Sequence, residues 1–205
     1  NPDMVTLYLY ISVTFYSASA VHLKRCAVFF FPFSCYDGDR KKKERTKHMG
    51  YILELRKQVG HRPLIMTCAG VLLLNEKREL LLQKRADNGL WGYPGGSMEL
   101  GESFKDCARR EVREETGFTV LADRLIAVQD WRKHNVQNYA FGVMKVFILC
   151  RYESGEFMKN IETTEIGFFD RESIPEVLAV EKTTKDQILM CFDAYEDPNW
   201  KAMFD

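Results

Sequence analysis

The sequence predicts a mixed α/β or α+β sandwich. Three observations predict it: strand-length runs of aliphatic and β-branched residues, two or three helical segments set among them, and a length of 205 residues. A chain of that length supports one well-cored domain with some sequence to spare.

The elements are justified in order from the N-terminus. Between Val5 and Phe15 the odd positions are Val, Leu, Leu, Ile, Val and Phe, and the even ones carry Thr, Tyr and Ser, which is the period of two of a strand. A membrane helix needs about 20 mostly apolar residues, and this stretch is too short and too rich in hydroxyls. Ala18-Ser19-Ala20 resembles a signal cleavage site, but Asp3 stands where a basic segment is needed, so secretion is disfavoured. The aromatic run Phe29 to Phe33 follows, then a charge run from Asp37 to His48 with Lys41-Lys42-Lys43, which reads as a solvated linker. The expected organisation is an N-terminal extension over 1–48, non-native or disordered, and a compact domain over 49–205 with Met49 as a candidate start.

In that domain a short helix is expected first, with Ile52, Leu55 and Val59 on one face and Gly60 and Pro63 as stop signals. Leu64 to Leu74 and Glu79 to Lys84 read as strands around the polar turn Asn75-Glu76-Lys77-Arg78. A helix beginning near Ser103 is expected to bury a stripe of Phe104, Ala108 and Val112. Phe118 to Val128, Tyr139 to Arg151 and Gly167 to Asp170 are the next strands, and Lys182 to Tyr195 is a closing helix with Ile188, Leu189 and Phe192 inward.

Charge and cysteine usage exclude some classes of function. Lys plus Arg and Asp plus Glu both number 29, so no overall field draws the chain to nucleic acid or to an anionic membrane. Neither partner is expected. The six cysteines are scattered with no metal-ligand or disulfide spacing, which fits a reducing cytoplasm.

The chemistry concentrates in Gly96 to Phe118, GSMELGESFKDCARREVREETGF. Ser103 can cap a helix, with Asp106 three positions on, and Gly117 can end it. On that helix Glu111, Glu114 and Glu115 stand at i, i+3 and i+4, on the side expected to face away from the apolar stripe. Three like charges so close repel, and a hard divalent cation with oxygen ligands offsets the repulsion best. Magnesium is the natural choice and manganese the next. Arg110 can orient one of these carboxylates through a two-pronged contact. A charged run of this kind is more often a solvated face laced by ion pairs. Its registration with Gly96, Glu102 and Gly117, behind the loop Trp91-Gly92-Tyr93-Pro94-Gly95-Gly96, argues against that bland reading.

The stretch resembles the signature of the Nudix hydrolase family, MutT-like members included, G-x5-E-x7-R-E-U-x-E-E-x-G-U. Gly96, Glu102, Arg110, Glu111, Val112, Glu114, Glu115, Gly117 and Phe118 fill every defined position. The resemblance covers about residues 64 to 175 and implies an αβα sandwich with a mixed β-sheet. It implies a Mg²⁺-dependent pyrophosphohydrolase, with Mn²⁺ as an alternative, acting on a small-molecule nucleotide in which a nucleoside diphosphate is linked to another moiety. By the same resemblance Glu111, Glu114, Glu115 and the Gly95 carbonyl are metal ligands, and Glu102 and Arg110 support them. The general base is Glu111 or Glu114. A further glutamate from a later loop completes such sites, with Glu162 or Glu165 as candidates and Glu165 preferred.

Substrate contacts are expected from Arg85 at a phosphate and from Trp91 or Tyr93 stacked on a base. The proline found after the box in many ADP-ribose hydrolases is absent, Arg132 standing near there, and Tyr139 is too late for the tyrosine of many dinucleoside polyphosphate hydrolases. The alternative function is a catalytically silent nucleotide-binding or regulatory module, which would be free to lose its carboxylates. An isoprenoid-diphosphate isomerase on this scaffold would need a catalytic cysteine, and Cys68 and Cys107 read as buried small residues. The sequence leaves a homodimer open.

Overall fold

A computed structural model describes residues 50–135 and 141–205. The expectations for residues 1–48, for Met49 and for the first residues of the strand begun at Tyr139 lie outside the described residues. Twelve elements follow one another: α1 (Tyr51–Val59), β1 (Leu64–Leu73), β2 (Leu80–Arg85), β3 (Trp91–Gly92), β4 (Gly95–Ser97), α2 (Phe104–Thr116), β5 (Thr119–Asp130), α3 (Trp131–His134), β6 (Phe141–Ser154), β7 (Thr163–Phe169), α4 (Lys185–Glu196) and β8 (Met203–Phe204).

The sheets are mixed, as expected. One has five strands in the order β4-β1-β6-β5-β8, with β1 parallel to β6 and antiparallel to β4, and β5 antiparallel to β6. The other runs β3-β2-β7, all antiparallel. Strand alternation sends side chains to the two faces of the larger sheet. Ala69, Val71 and Leu73 of β1 with Val146, Ile148 and Cys150 of β6 pack under α2, against Cys107, Ala108 and Val112. Leu72 with Phe147 and Leu149 pack under α4, against Ile188, Met190, Cys191 and Phe192. Helices on both faces make the αβα arrangement.

Four departures from the sequence reading have physical causes. The strands around the Asn75 turn end and begin one residue further from it, at Leu73 and Leu80, because only the isolated bridge of Leu74 to Leu80 joins them before β1 and β2 enter different sheets. The strand expected from Gly167 begins at Thr163, because the polar residues Thr163, Thr164 and Glu165 pair with Arg85 and Lys84 on β2. The closing helix starts after Thr184, whose side chain caps it, so Lys182 and Thr183 belong to the preceding segment. Leu189 is half-buried while Met190 and Cys191 lie in the core. Among the described residues no helix is long and apolar enough to cross a membrane.

Candidate active site

The helix that carries the acidic run is fixed at both ends by its own sequence. Ser103 accepts from the Asp106 amide while Asp106 accepts from the Ser103 amide, a complete capping box, and Gly117 at φ 81° closes the other end. The orientation differs from the expectation. Phe104 is 41% exposed, and the buried stripe is Cys107, Ala108, Glu111, Val112, Glu115 and Thr116. Glu111 and Glu115 therefore do not stand opposite the apolar face. They lie within it, and only Glu114 is turned to solvent, because positions four apart share a face and 107, 111 and 115 form one such row.

What receives the two buried carboxylates is the loop before the helix. Gly95 has φ 147°, and a Cβ there would come within 2.1 Å of the Ala69 carbonyl, so no other residue fits. Its amide donates to Glu115 Oε2 at 2.7 Å. At Gly96 a Cβ would lie 2.6 Å from the Glu111 carboxylate oxygens, so the bare backbone is what lets that carboxylate approach.

Arg110 organises the rest. Its guanidinium grips Glu102 with two bonds, Nε to Oε1 at 2.6 Å and Nη2 to Oε2 at 3.0 Å. It also donates to Glu111 Oε1 at 2.7 Å, to Glu114 Oε2 at 3.1 Å and to the Ser97 carbonyl at 2.9 Å. A planar fork serves so many acceptors where a lysine could not. Glu102 accepts in addition from the Glu99 amide at 2.9 Å.

The electrostatics follow from burial and neighbours. Arg110 holds the Glu102 carboxyl below its usual range. Burial pushes Glu111 up despite Arg110, and Glu114 and Glu162 add to the rise. Glu115 is raised to about 8 by burial and by Glu111, against the hydrogen bonds from Gly95 and Gln83. Two adjacent carboxyls that resist ionisation form an all-oxygen donor set whose charge a hard divalent cation would stabilise. Among the described residues no three His, Cys, Asp or Glu groups are already drawn around one point. Arg110 and the Gly95 amide hold the carboxylates instead.

Beside this cluster lies a cavity of about 550 Å³, reached by Gly95, Gly96 and Ser97 on the box side. The expected substrate residues fall around it unequally. Arg85 lines it, bound to Asp87 through Nε at 3.0 Å and Nη2 at 2.6 Å. Tyr93 lines it too but is 8% exposed, with its ring edge-on to Phe147 and its hydroxyl donating to the Lys182 carbonyl, so it is a wall and presents no open face for stacking. Trp91 packs edge-on against Phe169. Glu165 pairs with Lys84 at 3.4 Å. It is Glu162 whose charge acts on both Glu111 and Glu115, since Glu165 is held in the β7 ladder opposite Lys84.

The rest of the cavity wall was not foreseen. Lys145 of β6 is buried and donates to Tyr93 Oη at 3.0 Å, to Asn135 Oδ1 at 3.3 Å and to the Lys182 carbonyl. Burial brings its ammonium down to about 7. Gln187 joins the network, its amide donating to Asn135 Oδ1 at 3.2 Å and to Gln129 Oε1 at 3.1 Å. One signal was available in the sequence: Lys145 is the one charge in the apolar run Phe141 to Cys150.

Comparison with known proteins places this geometry. The NUDIX domain model matches residues 65–190. The chain is 33% identical over 129 residues to YjhB of Bacillus subtilis (strain 168), whose name assigns it provisionally as an ADP-ribose pyrophosphatase; the match covers 63% of this chain and 62% of that one. The crystal structure of an ADP-ribose pyrophosphatase from Streptococcus suis 89-1591 is 37% identical, covers 68% of this chain and 98% of its own, and superposes with a TM-score of 0.62. The MutT protein from Methanosarcina mazei Go1 is 25% identical at a TM-score of 0.55, over 66% of this chain and 98% of that one.

Proposed function

This chain belongs to the Nudix family of hydrolases, and from that premise we propose that it hydrolyses the pyrophosphate link of a nucleoside diphosphate joined to another moiety, with Mg²⁺ as cofactor. One observation carries the reading: the Arg110 fork and the Gly95 amide close the box loop onto its helix around Glu102, Glu111, Glu114 and Glu115, at the edge of a cavity of about 550 Å³. That volume suits a nucleoside-sized group.

Glu111, Glu115, Glu114 and the Gly95 carbonyl would hold the cation, with Glu162 as the further glutamate. When bound, Mg²⁺, or Mn²⁺ in its place, supplies neutralisation of phosphate charge and acidifies water. The protein's own groups do the remainder. Arg110 fixes the directions of Glu102, Glu111 and Glu114 at once, so the carboxylates meet the substrate already oriented. Glu114, 60% exposed at its side chain, is the box carboxylate open to solvent and accepts the proton of the attacking water. Arg85 contacts a substrate phosphate. The relatives named for ADP-ribose favour a nucleoside diphosphate sugar as the substrate.

The test is a screen of the purified protein with Mg²⁺ against ADP-ribose, nucleotide sugars, nucleoside triphosphates, oxidised nucleotides and CDP-alcohols. Turnover of at least one, abolished by a chelator, is the expected result. Tight binding with no turnover of any would overturn hydrolysis in favour of a silent binding module.

A further inference from the structure

The segment between the bridge at Leu178 and the cap of α4 is held far more tightly than a connecting loop requires. Three consecutive carbonyls are captured by side chains from other elements: Val180 O by Asn135 at 3.0 Å, Glu181 O by the Trp131 indole, and Lys182 O by Tyr93 and Lys145 together. The amide of Lys182 donates to Ala179 O at 2.7 Å. Both backbone polar atoms of Lys182 are thus fixed, and its side chain lines the same cavity as Arg85.

The Lys182 ammonium has no ion-pair partner among the described residues. Lys182 is exposed over much of its surface; partial desolvation of its ammonium and the charge of Arg85 press it toward the neutral amine, while Glu115 of the box and Asp87 favour its charge. It therefore lies within electrostatic reach of a second cation and of the carboxylate cluster. Asp87 occupies the Nε and Nη2 side of Arg85, which leaves the Nη1 end for another acceptor. Arg85 and Lys182 face one cavity with Asp87 bound at one end of Arg85 and Glu181 on the same lining, so two carboxylates partly compensate the pair and an entering polyanion offers both cations a stronger partner.

We propose that Lys182 and Arg85 form a two-cation subsite for the substrate phosphate farther from the box carboxylates, on the cavity wall that the box does not build. The proposal rests on the pyrophosphohydrolase reading and names the second half of its diphosphate site. A phosphate there meets a fork on one side and a point charge on the other, and the clamped carbonyls of 180 to 182 keep the spacing between the two cations fixed. Lys145 acts through the clamped segment 180–182 as a positioning residue and does not itself touch the phosphate. A neutral ligand gains nothing from the arrangement, so the subsite selects diphosphates by charge.

The experiment is calorimetric binding of α,β-methylene-ADP, a diphosphate that resists hydrolysis, to the full chain in EDTA, beside the turnover screen. Lys182→Met is expected to weaken binding by at least about tenfold and to flatten its salt dependence, with Lys182→Arg within about threefold of the parent. Lys182→Gln replaces Lys182→Met should the latter not fold. Parent-like affinity and salt dependence in the Met or Gln variant, or no binding by the parent, overturns the subsite. Turnover by the parent together with unchanged binding in the variant leaves hydrolysis standing and removes only the subsite. Binding that depends on Lys182 in a parent with no turnover does the reverse.

Discussion

The cavity has two walls, and their parts come from very different distances along the chain. The box wall is drawn from one stretch, Gly95 to Gly117, in which the loop, the helix and the fork of Arg110 are all near neighbours in sequence. The opposite wall is assembled from Arg85, Tyr93, Trp131, Lys145 and Lys182, backed by Asn135 and Gln187, which meet only because β2, β3, α3, β6, α4 and the segment before it are brought together by the sheets. Carboxylates stand behind the first wall; the second carries Arg85, Lys145 and Lys182, with Glu181 beside them. A substrate with a diphosphate between two unlike groups fits such a division, with bond cleavage at one wall and recognition at the other.

The sharpest way to break that division is at the box. Glu114→Gln or Glu115→Gln should lower kcat at least about a hundredfold while leaving the fold intact, measured as turnover at saturating Mg²⁺ alongside circular dichroism. Near-normal rates in both variants would remove the carboxylates from the chemistry. Arg110→Lys keeps the charge but loses the fork on Glu102, and turnover should fall about tenfold or more. Arg113→Lys, on the exposed side of the same helix, should turn over like the parent. Equal behaviour of the two would reduce Arg110 to a surface ion pair, worth about 1 kcal/mol or less in stability.

The second wall should respond in a different quantity. Lys145→Met removes one of two donors to the Lys182 carbonyl, so KM for the best substrate should rise about fivefold while kcat stays within about twofold. A loss of kcat at constant KM would place Lys145 with the box instead.

The smallest effect sharpens the comparison through pH. In the folded chain Glu115 holds its proton up to about 8, against an ordinary 4.5, so without a divalent cation this group's stabilisation is complete below about 4.5 and lost as pH rises through 8. Lys145 acts the other way, since a folded value near 7 against 10.5 makes stability rise with pH between those limits, and it is common to parent and variant. Glu115→Gln keeps a neutral partner for the Gly95 amide at every pH. In EDTA its Tm should match the parent near pH 4.5 and exceed it by a few degrees at pH 9. A gap that is constant with pH would mean that Glu115 is not ionising in a buried site.

The same contrast explains what the sequence could reveal. Capping residues, the i, i+3 and i+4 spacing and the glycines act over a few positions, so Ser103, Gly117, Arg110 and the three glutamates could be located before any coordinates. Which way the helix faced could not. Reading Phe104 as part of the buried stripe put Glu111 and Glu115 outside, because a carboxylate is normally priced as a surface group and the loop that shelters these two is met only in three dimensions. The strand register that sets Glu165 opposite Lys84 is likewise invisible in the sequence. Nor does the sequence show that the Tyr93 hydroxyl sits among Lys145, Lys182 and Gln187, which turns a candidate stacking ring into a buried wall. Lys145 and Lys182 carry no local signature of their roles beyond the one charge that Lys145 places in the apolar run Phe141 to Cys150.

The most direct test of the two-wall account is a paired steady-state measurement on whichever substrate the screen shows to be turned over best. The account predicts that Glu114→Gln lowers kcat with KM near the parent value, and that Lys182→Met raises KM with kcat near the parent value. Loss of the same parameter in both variants would contradict it, since the cleaving wall and the recognising wall would then be one.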